Sequence, residues 1–118
     1  MDFKFRILTL EDVSSAHAKR YSSIVQISPC TRDEMLAAIR GAIKKLSGEV
    51  VHHNKFHKAR WADTKPHILY LFVTKSTEVE WPNWACRAVW VDTELEKEFH
   101  PPPLGGEWVD KNLEVLWQ

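Results

Sequence analysis

The chain has little glycine and less cysteine, four of the first and two of the second in 118 residues. It contains no GxxxxGK[ST], GxGxxG or GxSxG, which excludes the familiar phosphate-cradling loops and the hydrolase nucleophile turn. Cys30 and Cys86 are too few for a disulfide framework, and neither stands in a CxxC pair. The thiols therefore read as reduced and the protein as cytoplasmic. The longest apolar run, Ile68 to Val73, is far short of the roughly 20 residues a membrane helix needs. Met1-Asp2-Phe3-Lys4-Phe5-Arg6 lacks the apolar stretch of a signal peptide, and no membrane partner is expected. With no Gly/Ser linker and no internal repeat, residues 1–118 read as a single domain.

What is present is an uneven distribution of charge. Residues 1–75 hold thirteen Lys/Arg against seven Asp/Glu, whereas residues 76–118 hold three against nine. The formal net charge of zero thus combines a basic and an acidic part, and the basic part suits an anionic partner. Six tryptophans are the compositional oddity, five of them between residues 81 and 118.

The patterning is that of an α+β domain. Phe3, Phe5 and Ile7 alternate with Lys4 and Arg6 as a half-buried strand, and Ile24–Ile27 reads as another. Thr9-Leu10-Glu11-Asp12 suggests a cap for a short helix running to about Arg20. The clearest element follows Thr31-x-x-Glu34, a capping box in which each side chain can satisfy the other residue's backbone N–H. Met35, Leu36, Ile39, Ala42, Ile43 and Leu46 continue it as a helix over about 32–47, with Gly48 expected as a left-handed stop. Residues 49–61 fit a helical face or the start of a strand equally well. His67–Thr74 has the composition of a strand buried on both faces. Ala85–Val91 alternates as a strand, with Cys86, Ala88 and Trp90 on one side. Glu94–Phe99 suggests a helical turn, His100–Gly106 a stiff polyproline piece, and Leu113–Trp117 a last strand. The expected architecture is a largely antiparallel sheet of about five strands with the main helix packed on one face.

The candidate binding site is the basic aromatic segment. Lys55, Lys58, Arg60 and Lys65 are the residue type that neutralises phosphates, and Phe56, His57 and Trp61 the type on which bases stack. The competing reading is a solvated helix whose aromatic residues point into the core. His53 and His57 stand four apart, the spacing of two metal ligands on a helix, but no Glu between them and no local acid or Cys completes a set, so no metal and no cofactor is assigned. Cys30 ahead of the main helix has no histidine tied to it, and Glu94, Glu96 and Glu98 look like a solvated turn, so no catalytic residue is assigned either. A second class of function is a protein-interaction or self-associating surface at Trp81, Trp84, Pro102 and Leu104, where aromatic residues meet proline-rich loops. The expectation is a small binding module for an anionic ligand, nucleic acid or nucleotide. A protein or homo-oligomeric partner is the alternative, and a small His- or Cys-dependent enzyme a distant third.

Overall fold

A computed structural model describes residues 5–28, 31–75 and 84–117. The order of elements is β1 (Phe5–Ile7), β2 (Glu11–Asp12), β3 (Arg20–Ile27), α1 (Arg32–Leu46), α2 (Lys55–Trp61), β4 (Ile68–Thr74), β5 (Cys86–Val91), β6 (Glu107–Asp110) and β7 (Leu113–Trp117). Among the described residues the strands form one seven-stranded sheet in the order β1-β3-β4-β5-β7-β6, with β2 also on β3. The fold is α+β, with more strands than the sequence suggested. Every pairing is antiparallel except β3 with β4, which α1 and α2 join as a crossover.

β3 extends four residues further toward the N-terminus than its apolar part, through Arg20, Tyr21, Ser22 and Ser23. The helix expected over 9–20 does not form. Asp12 and Ser14 use their side chains on nearby backbone and on each other, the local competition that turns a chain away from helix. Residues 9–20 instead run through β2 into a turn that feeds β3.

α1 follows its apolar stripe. Met35, Ala38, Ile39, Ala42, Ile43 and Leu46 are buried on the sheet against Tyr21, Val25, Leu69, Leu71, Val73, Cys86, Ala88, Leu113 and Val115. At its start Thr31 Oγ1 accepts from Glu34 N at 3.2 Å, and the Glu34 carboxylate accepts from the Thr31 hydroxyl at 3.2 Å. Its end departs from expectation. Ser47 caps it in the right-handed region (φ −67°), Gly48 is not left-handed, and Ser47 and Gly48 N–H close back on Ile43 and Lys45.

β4 is covered on both faces, as its composition implied. Leu69, Leu71 and Val73 meet α1, while Ile68 joins Ala18, Val89 and Val91 beneath Leu95 and Leu104 on the opposite face. Segment 92–106 therefore acts as the second cover of the sheet, at the end where β4 begins and β5 ends. It contains the expected turn as a short 3-10 helix, Lys97–Phe99.

β6 has no strong pattern in the sequence. Its start depends on Gly106, where a Cβ would stand 2.8 Å from Leu116 Cα and close to the Val115 carbonyl, both backbone. Gly106→Ala is expected to cost about 2–3 kcal/mol through this overpacking. Urea unfolding checks it, and an unchanged midpoint would contradict the close approach.

Candidate functional site

α2 begins at Asn54, whose side-chain oxygen accepts from Phe56 N and His57 N, each at 3.0 Å. The helix then divides the sequence-derived candidates between two sides. Lys55, Phe56, Lys58 and Arg60 are exposed, as is Lys65 beyond the helix, and Phe56 is 71% accessible. Lys55 Nζ lies 5.6 Å from the Phe56 ring. Trp61 faces inward and is buried. Its ring meets His67 edge-on and carries the Arg60 guanidinium at 4.2 Å, while Arg60 also donates to the Ala16 carbonyl at 3.1 Å. Trp61 thus anchors α2, and Phe56 is the ring left open. Ala62 ends the helix at φ +46°, an unfavourable backbone for alanine.

His57 belongs to neither side. Its Nδ1 lies 2.7 Å from Asp12 Oδ2, and its side chain is 27% exposed. Asp12, 45 residues away in sequence, is the centre of a polar cluster that local pattern did not reveal. Its carboxylate accepts from the Ser14 hydroxyl, from Ser14 N at 3.1 Å, from His53 N at 2.9 Å and from the His57 ring. Burial opposes its ionisation, but the hydrogen bonds from Ser14, His53 and His57 outweigh burial. They hold the carboxyl well below the usual carboxylate range.

Lys19, wholly buried, completes the cluster. Its Nζ donates to the Val51 carbonyl at 2.6 Å, meets His52 Nδ1 at 2.9 Å and stands 3.5 Å from Asp12 Oδ2. Tyr21 lies beneath it, with its hydroxyl donating to the Glu49 carbonyl at 2.8 Å and accepting from Val51 N at 3.0 Å. Burial raises the Tyr21 hydroxyl above the ordinary phenol value, so it stays a donor. The loop after α1 is thereby tied to β3 by polar contacts, and α2 to β2. Beside them runs a cleft of about 630 Å³ walled by Leu10, Glu11, Val13, Val51, His52 and His53.

Among the described residues the basic and acidic parts of the sequence are in contact. Asp92 N donates to the His67 carbonyl at 2.7 Å, and the His17 ring stacks on Phe99 at 4.8 Å. Since Arg60 holds Ala16, the loop around residue 17 lies between α2 and the acidic segment carrying Glu94, Glu96 and Glu98.

The second set of candidates falls elsewhere. Trp84 is buried, 5.3 Å from Phe72, and Leu104 packs with Ile68, Val89 and Val91. Pro102 is exposed, and Trp81 lies outside the described residues. Trp108, on edge strand β6, is an exposed indole that the sequence did not single out. Burial pushes the Cys86 thiol up to about 12, which makes it inert, and Cys30 lies outside the described residues. The His53 and His57 rings are 5.8 Å apart, and among the described residues no three His, Cys, Asp or Glu side chains are grouped to hold a metal ion. No helix among those residues is long and apolar enough to cross a membrane. Comparison with protein-family models, with curated proteins and with solved structures finds no match to this chain.

Proposed function

We propose that the protein binds single-stranded nucleic acid on the outer side of α2. The observation that carries this reading is the Phe56 ring, 71% exposed on a basic helix whose inner side is fixed by Trp61. A phenylalanine left in water beside Lys55 is spared from the core, and a base stacked on it would recover the lost burial. Lys55 stands beside that ring, and the exposed Lys58, Arg60 and Lys65 are the further cations of the segment available to phosphates. The acidic segment on the far side of residue 17 confines the favourable field to this outer strip, which suits a flexible single strand better than a duplex.

The test is fluorescence anisotropy of a labelled oligonucleotide at two salt concentrations. Phe56→Ala is expected to weaken binding by about 1–3 kcal/mol, the usual worth of one stacked base. Lys55→Gln, Lys58→Gln and Arg60→Gln together should lower the slope of log affinity against log salt by about 2, at roughly 0.7 per phosphate. Arg60→Gln also takes the guanidinium off Trp61 and its hydrogen bond off the Ala16 carbonyl, so the Lys55→Gln, Lys58→Gln double variant, which leaves both contacts in place, is run beside it and should lower the slope by about 1.4. Equal affinity and an equal salt slope in the triple variant would refute the reading.

A further inference from the structure

His53 and His57 are both held by one carboxylate, His57 through its ring and His53 through its backbone N–H. A carboxylate only accepts, so the contact with Asp12 Oδ2 places a proton on His57 Nδ1. Nε2 is then the nitrogen free to take a proton, on a side chain that is 27% exposed. Ser14 and Lys19 in turn fix Asp12, so the orientation of the ring is set by buried groups and not by solvent. The His53 ring is exposed and tilted by 55° to that of His57, with centroids 5.8 Å apart. His53 also walls the 630 Å³ cleft, a volume in the range of small-ligand sites. Neither ring is needed for core packing, and Lys55 lies between the two histidines in the chain.

We infer that His53 and His57 form a metal-independent general acid–base site that cleaves RNA bound along α2. This rests on the nucleic-acid reading above and adds an activity to it. In the step, the ribose 2′-oxygen attacks the adjacent phosphorus while His57 Nε2 takes the 2′-hydroxyl proton. The bond from phosphorus to the 5′-oxygen breaks, and protonated His53 gives its proton to that departing oxygen. The products are a 2′,3′-cyclic phosphate and a free 5′-hydroxyl, and no water, metal or oxidant is consumed. Asp12 assigns the roles by holding a proton on His57 Nδ1, which leaves Nε2 as the nitrogen that takes the 2′-hydroxyl proton. Asp12 is a positioning residue here, and the catalytic residues are His53 and His57.

The experiment uses the full chain with EDTA and a short RNA carrying a fluorophore and a quencher, alongside its all-deoxy analogue. Turnover is expected with RNA only, with a cyclic phosphate found by mass spectrometry, whereas the DNA analogue is bound and left intact. The rate at saturating RNA should fall at least about 100-fold in His53→Gln and in His57→Ala. His53→Gln serves as the second variant should His57→Ala fold poorly, because the His53 ring is exposed. The pH profile should be bell-shaped, since one imidazole must be neutral while the other is protonated. The charged and titratable groups around the pair are Asp12 and Glu11 of β2, with Lys19 and His52 beyond Asp12. RNA that is bound and not cleaved overturns the catalytic inference and leaves the binding reading standing. Binding of neither RNA nor DNA overturns both. Cleavage undiminished in the two variants assigns the activity to another source and overturns the inference.

Discussion

Asp12→Asn is expected to cost about 3–5 kcal/mol, the range seen when one member of a buried charge pair is removed. The carboxylate accepts from Ser14, His53 and His57 and faces the Nζ of a fully buried Lys19. An amide of the same shape turns an NH2 toward groups that themselves donate, and it removes the charge facing Lys19, whose other acceptors among the described residues are the Val51 carbonyl and His52. Lys19→Met should be milder, at about 1–2 kcal/mol. The methionine keeps the buried stem, and Asp12 retains its other hydrogen bonds. Denaturant unfolding at pH 7 checks the order of the two effects.

Acid sharpens the test. Because the folded carboxyl titrates below its ordinary value of 3.8, its contribution is complete above that value. It is lost as pH falls from there toward the folded value. The gap between wild type and Asp12→Asn should therefore narrow on acidification below about pH 4. Equal stability of the two proteins at pH 7 would mean that Asp12 is not the hub of the cluster.

How much of this could be read from the sequence depended on how local each signal was. The stripe of α1 and its Thr31–Glu34 start are contained within one element, and both were legible. The same holds for β4, whose unbroken apolar run reflects two covers, and for β5, whose alternation sends Cys86 and Ala88 to α1 and Val89 and Val91 to the opposite side. Segment 9–23 misled because its polar residues are structural. Ser23 is buried with its hydroxyl on the Thr9 carbonyl at 2.6 Å, and Lys19, by habit a surface residue, has no exposure at all. The candidate site was half legible. The basic aromatic segment and its histidines lie together in the chain, and Asn54 starts their helix. Helical ligand spacing places an acid partner for those histidines nearby in the chain, where none stands. It is Asp12, brought across by the pairing of β2 with β3, a long-range contact that no spacing rule encodes. Nor did the sequence separate Phe56 from Trp61. Their spacing is that of opposite helix faces, but only the tertiary contact of Trp61 with His67 decides which face is inner.

Glu114→Ala is expected to release the proline-rich segment from the sheet. Glu114 stands on β7 facing away from α1, almost wholly buried, and its two carboxylate oxygens accept from Leu104 N and Gly106 N, each at 2.8 Å. These two bonds fix the segment after Pro103, where the prolines themselves have no N–H to donate. They thereby press Leu104 onto Ile68, Val89 and Val91. Bonds to a charged acceptor are individually strong, but alanine also removes the cost of burying the carboxylate, and water reaches the loosened loop. The net loss is therefore set at about 2–3 kcal/mol, below the sum for two such bonds. Glu114→Gln keeps one acceptor oxygen and should lose about half as much. The two variants differ more locally than globally. Amide exchange at Leu104 and Gly106 should accelerate by at least about tenfold in Glu114→Ala, while exchange in β4 tracks only the change in global stability. Unaltered exchange at those two amides would show that the prolines alone hold the loop. Faster exchange confined to 104–107 would establish that one buried carboxylate fastens the sheet's second cover.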